Sequence, residues 1–321
     1  MENQLDVQRA LRDAVRAGLT DEMKSLPPWL FYDADGSDLY EQITVLPEYY
    51  PTRTERSIFA DQADAIMATA LGDALGPIHV FELGAGAATK TPLVLAPVAA
   101  RGDGSHYTPI DVSPTALELA VRNVAEALPN LRTTPRVSRH RPALRALQAE
   151  VGRKVALFIG SSIGNYDDPE AIELLSLIRD AIAPSGALIL GADRRKSAAV
   201  LVPAYDDRAG VTAAFNLNLL RRLNRELRAN FDVKLFRHVA LWNDKASRIE
   251  MHLESLEAQT VTIEALELVI QFNTFERIHT ESSVKYADAH IDRLFAASGL
   301  KRTESFTDPE GLFAVHVAHV V

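Results

Sequence analysis

Glu82-Leu83-Gly84-Ala85-Gly86-Ala87 closes an apolar run that begins at Ile78. In open, doubly wound α/β sheets, ligands bind at the ends of the strands. Glycines there let the backbone come close to a ligand and take turns that other residues resist. The next apolar run, His106 to Asp111, ends in a carboxylate, the group that accepts ribose hydroxyls in such sheets. Gly84, Gly86 and Asp111 therefore predict a nucleoside site. A dinucleotide is the first competitor, because Gly84 and Gly86 supply two of the three glycines of its fingerprint. Thr89 stands at the third place and Lys90 follows, so close helix packing over a pyrophosphate is not supported.

Outward from this stretch, apolar runs alternate with helical patterns from about Glu55 to Arg195. Thr134 to Ser138, Val155 to Ile159 and Ala187 to Gly191 read as further strands. Thr115 to Leu128 and Pro169 to Ala183 carry apolar residues at three and four spacing, as crossover helices do. After Arg195 the pattern changes to a long helix, roughly Val211 to Asn230, and then to consecutive strands: Phe236 to Trp242, Ile249 to Leu253, Thr260 to Ile263 and Leu266 to Phe272. Strands without intervening helices predict an antiparallel sheet and hence an inserted lobe. A helix, Ala287 to Ser298, and a hairpin, Lys301 to Phe306 and Leu312 to Val321, would complete the first sheet. This is the plan of a seven-stranded, Rossmann-like class I methyltransferase sheet with an inserted α+β substrate-binding lobe. Residues 55–195 and 285–321 would form the S-adenosylmethionine-binding domain, and residues 8–54 and 196–284 the lobe. S-adenosylmethionine carries no phosphate, which suits the incomplete glycine fingerprint.

Composition narrows the function. Apolar residues at 47% and charged residues at 24% of 321 are the proportions of a globular protein, and a net charge of −9 argues against a nucleic-acid partner. Arg221, Arg222, Arg225 and Arg228 alternate with leucines and read as the solvated face of a helix. Without cysteine there is no disulfide or thiolate chemistry. Met1 to Arg16 is charged and lacks the apolar core of a signal peptide, and no run approaches the roughly 20 apolar residues of a membrane span. A monomeric cytoplasmic protein that binds no membrane is the default expectation. The histidines are scattered, and His316 and His319 would point to opposite faces of a strand, so no metal site is expected.

Three further stretches carry chemistry. Gly160-Ser161-Ser162-Ile163-Gly164-Asn165 places small residues and an amide at the end of the fourth strand, and an amide can serve both the carboxylate and the amine of a free amino acid. Asp167 or Asp168 is expected to cap the following helix, leaving Asn165 available. Ala204-Tyr205-Asp206-Asp207 leads into Phe215-Asn216, and Ile278 to Tyr286 puts Glu281 and Ser283 on one side of an extended segment. Before Thr54, prolines break an aromatic-rich region holding Trp29, Phe31, Tyr32, Tyr49 and Tyr50, which reads as a lid or pocket wall behind a short amphipathic helix.

These motifs, with Lys24-Ser25-Leu26-Pro27-Pro28, Phe31-Tyr32-Asp33, Leu46-Pro47-Glu48-Tyr49-Tyr50-Pro51-Thr52-Arg53, Asn224-Arg225-Glu226-Leu227 and Arg248-Ile249-Glu250-Met251, resemble the histidine-specific methyltransferases that make hercynine for ergothioneine biosynthesis. The resemblance runs nearly the whole chain. It implies S-adenosylmethionine as methyl donor, S-adenosylhomocysteine as product and L-histidine as substrate. Gly84, Gly86, Lys90 and Asp111 would hold the donor, while Tyr49, Asn165, Tyr205, Glu281 and Ser283 would hold the amino acid, with Glu281 and Ser283 on the imidazole. Tyr32 and Asn165 would act at the amine. One departure is evident: Ser138-Arg139-His140 stands where the family shows Gly-Asp and an aromatic, so adenine would have to be met by Arg139, His140 or backbone groups. An N-methyltransferase of another amino acid, such as tryptophan, and a catalytically weak S-adenosylmethionine-binding relative are the alternatives.

Overall fold

The computed structural model describes residues 4–73 and 75–321; Met1–Asn3, the start of the charged N-terminal stretch, lie outside the described residues. In chain order the helices are α1 (Gln4–Thr20), α2 (Ala34–Thr44), α3 (Tyr50–Leu71), α4 (Thr91–Ala99), α5 (Pro114–Ala127), α6 (His140–Gln148), α7 (Asp168–Ile182), α8 (Ala198–Leu201), α9 (Val211–Leu227) and α10 (Asp288–Ala297). The strands are β1 (Ile78–Leu83), β2 (His106–Asp111), β3 (Arg132–Thr133), β4 (Arg136–Val137), β5 (Arg153–Phe158), β6 (Ala187–Asp193), β7 (Phe236–Asn243), β8 (Arg248–Ser255), β9 (Gln259–Ile263), β10 (Leu268–Phe272), β11 (Arg277–Val284), β12 (Leu300–Thr307) and β13 (Phe313–Val320).

The chain divides into two compact units, one of Pro51–Arg195 with Val284–Val321, the other running up to Tyr50 and over Lys196–Ser283. The first is built on one sheet of order β12-β13-β6-β5-β1-β2-β3, with β4 also paired to β2. β3 and β4 share one edge of β2 and so make a single strand position, giving the seven-stranded plan. The sequence predicts one strand over Thr134 to Ser138. Instead the edge breaks at Thr134-Pro135, because proline has no N–H to give the ladder. Thr134 N and Ser138 N still donate to Tyr107 and Asp111 carbonyls at 2.9 Å, so the edge stays in register.

The central strands pair in parallel, while β13 lies antiparallel between β6 and β12. Every residue of β1 and of β6 is buried, as expected where helices cover both faces of a sheet. On one face Val80, Leu157, Ile189 and Val315 pack with Ile58, Phe59, Ile66 and Met67 of α3. On the other, Phe81, Phe158, Leu188 and Ala318 pack with Leu144, Leu174, Ile178 and Phe295. The alternation along each strand divides the core into these two layers.

The second unit has two antiparallel pairs, β7 with β8 and β9 with β10, and β11 lies beside β8. Helix α9 packs on β7, β8 and α2. It ends at Leu227, short of the predicted Asn230, because Arg228 turns left-handed at φ 50°. The predicted strand Leu266 to Phe272 is shortened at its start by a 3-10 turn, Glu264–Leu266, and a left-handed Glu267.

The aromatic N-terminal region is more regular than its prolines suggest. Asp33 accepts from Gly36 N and starts α2, and Pro51 sits in the first turn of α3 rather than ending a helix. A proline is harmless there because first-turn N–H groups have no helical acceptor. Among the described residues no helix is long and apolar enough to cross a membrane, and no group of three or more His, Cys, Asp or Glu could hold a metal ion.

Candidate active site

The turn after β1 is built for close approach. Gly84 and Gly86 take φ of 67° and 53°, and Gly84 N and Ala85 N donate to the Ile110 carbonyl at 2.8 and 3.1 Å. Gly86 N donates to Asp111 Oδ2 and Ser113 N to Oδ1, both at 2.9 Å. The carboxylate is thus fixed at the turn by backbone donors, with acceptor capacity left for a ligand hydroxyl. A Cβ on Gly86 would meet nothing within 4 Å, so the turn itself leaves room beside it. Beneath it Glu82 is buried against the Tyr107 hydroxyl and Thr91 Oγ1, and burial pushes its carboxyl up to about 7.

His140 begins α6 beside this turn, its Nε2 lying 3.5 Å from where a Gly84 Cβ would stand. The ring meets Phe158 edge-on, and Nδ1 is 3.2 Å from the Tyr166 hydroxyl. Burial pulls the imidazole down to about 4, so it is neutral at physiological pH. Arg139 has an exposed side chain at the start of the same helix.

After β5 the chain turns sharply. Ser161 is left-handed at φ 59°, and its hydroxyl accepts from Asp193 N at 2.9 Å. A left-handed serine is a strained choice that its surroundings must hold in place. Here Asp193 is in turn paired with Lys285 at 2.9 Å, both fully buried, and the Tyr286 hydroxyl donates to the Ile163 carbonyl at 3.1 Å. The turn leads to a 3-10 segment, Ser162–Asn165, whose last residue is the predicted amide. Asp167 makes a reciprocal cap with Glu170, so Asn165 is not used in starting α7.

The second unit carries four of the five predicted amino-acid ligands, Tyr49, Tyr205, Glu281 and Ser283, while Asn165 belongs to the first. The Tyr205 and Ser283 hydroxyls are 2.8 Å apart, and the Tyr49 and Tyr205 rings meet edge-on at 6.2 Å. β11 places Glu281 and Ser283 on one face. Burial first, then Tyr40, Tyr205 and Glu281, push the Tyr49 phenol well above its ordinary range, which keeps it a hydrogen-bond donor. Tyr32 lies against Tyr40 at 5.7 Å and Phe215 at 6.0 Å, and Phe31 stacks on Phe215 at 4.5 Å. The motif residue Arg225 is a support here: it pairs with Asp33, which follows Tyr32 and caps α2. Asn218 Nδ2 also donates to Asp33, at 2.8 Å. Sequence reasoning missed Tyr40, which shares a hydrogen bond with Tyr49. Nothing but its helical spacing within Ala34–Thr44 would have pointed to it.

Residues 11–320 match the family described as histidine-specific methyltransferase, SAM-dependent. The chain belongs to this family. A histidine N-alpha-methyltransferase of Mycolicibacterium smegmatis is 42% identical over 309 residues, 96% of this chain and 94% of that protein. One from Mycobacterium tuberculosis is 38% identical over the same share of each. Ergothioneine biosynthesis protein 1 of Neurospora crassa is 27% identical over 293 residues, 89% of this chain but 32% of that protein.

For a SAM-dependent histidine-specific methyltransferase, the glycine turn and the Asp111 carboxylate fit a nucleoside, since one offers room at the backbone and the other acceptors for hydroxyls. Lys90, the third predicted donor ligand, is paired with Glu55, a buried residue of α3 that sequence reasoning missed. Its only sequence signal is an acidic residue on the buried side of a helix, four positions after Pro51.

Proposed function

We propose that the protein transfers methyl groups from S-adenosylmethionine to the α-amino group of L-histidine, up to three times, giving hercynine for ergothioneine biosynthesis. The observation that carries this reading is the buried Tyr49, Tyr205 and Ser283 cluster beside Glu281, in a chain of the histidine-specific family. When bound, S-adenosylmethionine supplies a methyl group on a positively charged sulfur and leaves as S-adenosylhomocysteine. The protein's own task is to hold an unprotonated amine in line and keep water away, and orientation alone can supply much of the lowering of the barrier.

Gly84, Gly86, Lys90 and Asp111 hold the donor, and His140, with Arg139 beside it, stands on the adenine side. Tyr49, Tyr205 and Asn165 fix the amino-acid carboxylate, Tyr49 as a donor that its raised pKa keeps protonated. Glu281 accepts from the imidazole N–H and Ser283 orients the ring through its bond to Tyr205. Tyr32 stands at the amine and positions it, because a phenol of pKa near 10 is a poor base at neutral pH. As methyl groups accumulate the amine becomes a permanent cation, and the faces of Tyr32, Tyr49 and Phe215 are the walls that attract one.

A methyl donor made inside cells supports a cytoplasmic enzyme, and we read it as a monomer. Mass spectrometry of the protein incubated with S-adenosylmethionine and each common amino acid tests the whole. Successive methyl additions to histidine are expected. Methylation of a different amino acid would remove the Glu281 and Ser283 assignment, and no transfer at all would leave a binding protein.

A further inference from the structure

Glu55 is fully buried in α3 and anchored on several sides. Its carboxylate pairs with the Lys90 ammonium, and both oxygens accept from Gly160 N at 2.9 Å. The next residue, Arg56, donates from Nη1 to the Thr89 carbonyl at 3.1 Å. One helical turn therefore grips Thr89 and Lys90, which lead into α4, and Gly160, which opens the Gly160–Asn165 turn two residues past β5.

The surrounding backbone is shaped to this carboxylate. A Cβ on Gly191 would collide with Glu55 Oε1, so any side chain at this point of β6 would displace the carboxylate. At Gly160, left-handed at φ 79°, a Cβ would stand 3.5 Å from Lys90 Nζ. Buried ion pairs are poor sources of stability, since an apolar pair of similar volume often does as well or better. A pair kept at this desolvation cost, between two segments of a ligand site, suggests a role in placing charge. Glu55 is wholly enclosed, while the Lys90 side chain retains 15% exposure, so Lys90 is the member of the pair that reaches the surface.

We propose that Glu55 is a positioning residue of the donor site: it fixes the Lys90 ammonium where the carboxylate of the methionine moiety binds, and locks that ammonium to the turn after β5. The proposal rests on the reading that Lys90 contacts the donor. Glu55 itself touches no ligand and acts through Lys90 and Gly160.

Calorimetric binding of two probes tests it. S-adenosylhomocysteine carries the amino-acid carboxylate, whereas 5′-methylthioadenosine shares the nucleoside and lacks it. Glu55→Gln is expected to weaken S-adenosylhomocysteine about tenfold, the scale of one charge-assisted contact, and to change 5′-methylthioadenosine less than about twofold. Glu55→Asp, which keeps the charge but shortens the reach, should fall between, and serves if the glutamine variant does not fold. Adding Glu55→Gln to Lys90→Met should cost no more than Lys90→Met alone, because both act through one contact. Equal weakening of both probes by the Glu55 variants would make the residue merely structural and overturn the proposal. Loss of S-adenosylhomocysteine binding in Lys90→Met but not in the Glu55 variants would overturn it while sparing the Lys90 assignment. Unchanged binding in Lys90→Met would remove that assignment and the proposal with it.

Discussion

The hydroxyl oxygens of Tyr205 and Ser283 stand 2.8 Å apart, joining the segment before α9 to strand β11. Both side chains are buried, so removing either hydroxyl deletes this bond, at about 0.5–1.5 kcal/mol. Ser283→Ala and Tyr205→Phe are each expected to raise KM for histidine about tenfold with kcat within a few-fold, and the double variant should cost less than the sum. Steady-state kinetics at saturating donor checks this; additive losses would mean that the two hydroxyls act separately.

Tyr32 lies among aromatic rings, with Tyr40 and Phe215 at 5.7 and 6.0 Å. If it positions the amine, Tyr32→Phe lowers kcat only a few-fold, whereas general-base work would cost about 10²-fold or more. Single-turnover rates with histidine separate the two outcomes.

Asp33 caps α2 and binds Arg225 and Asn218, so the residue after Tyr32 is held from three directions. Asp33→Ala should cost about 1–2 kcal/mol of stability, the upper range for an N-cap, measured by urea denaturation. It should also raise KM for histidine by loosening Tyr32. A stability loss with unchanged KM would separate the cap from the site.

Burial pulls His79, His140, His252 and His316 down to about 4, against an unfolded value near 6.5. Between these values the unfolded chain binds protons that the folded one refuses. Their contribution is therefore full above pH ~6.5 and is lost as pH falls toward ~4, at about 1.4 kcal/mol per pH unit for each group. Glu82, raised to about 7, acts in the opposite sense: it favours the folded state below its unfolded value near 4.5 and loses that contribution as pH rises through ~7. Four groups outweigh one, so unfolding free energy should fall between pH 6.5 and 4. His316→Gln, at a buried ring bonded to Ser305, should flatten that slope in urea melts taken across the range. An unchanged slope would show that His316 titrates normally in the folded protein.

His140 lies beside Gly84, and if it meets the nucleoside as proposed, His140→Ala should weaken S-adenosylhomocysteine and 5′-methylthioadenosine alike. Equilibrium binding of both probes reads this directly. A loss confined to the first would place the imidazole near the methionine end instead.

The central sheet was legible because β1, β5 and β6 are buried on both faces and so read as unbroken apolar runs. The edge at Arg132 to Val137 was harder to read, since two-residue strands leave almost no periodicity and Pro135 interrupts them. Helices α2 and the start of α3 were hidden by aromatic residues and by a proline that favours a first turn as readily as it ends a last one. Gly84, Asn165 and Glu281 became candidates because each stands in a short motif of the sequence. Glu55 did not, because its partners Lys90 and Gly160 lie 35 and 105 residues away and only the folded sheet brings them to it.

The bridge between Arg194 and Tyr286 carries a consequence for how freely the chain between them can vary. Tyr286 N donates to the Asp193 carbonyl at 2.8 Å and Arg195 N to the Tyr286 carbonyl at 3.0 Å, so the chain leaves β6 and returns at nearly one point. To the first unit, residues 196–283 are a single long loop whose closure cost grows only with the logarithm of its length. That loop can therefore be lengthened, shortened or rewritten without disturbing the register of the sheet, an excursion free to vary on an otherwise unchanged chassis.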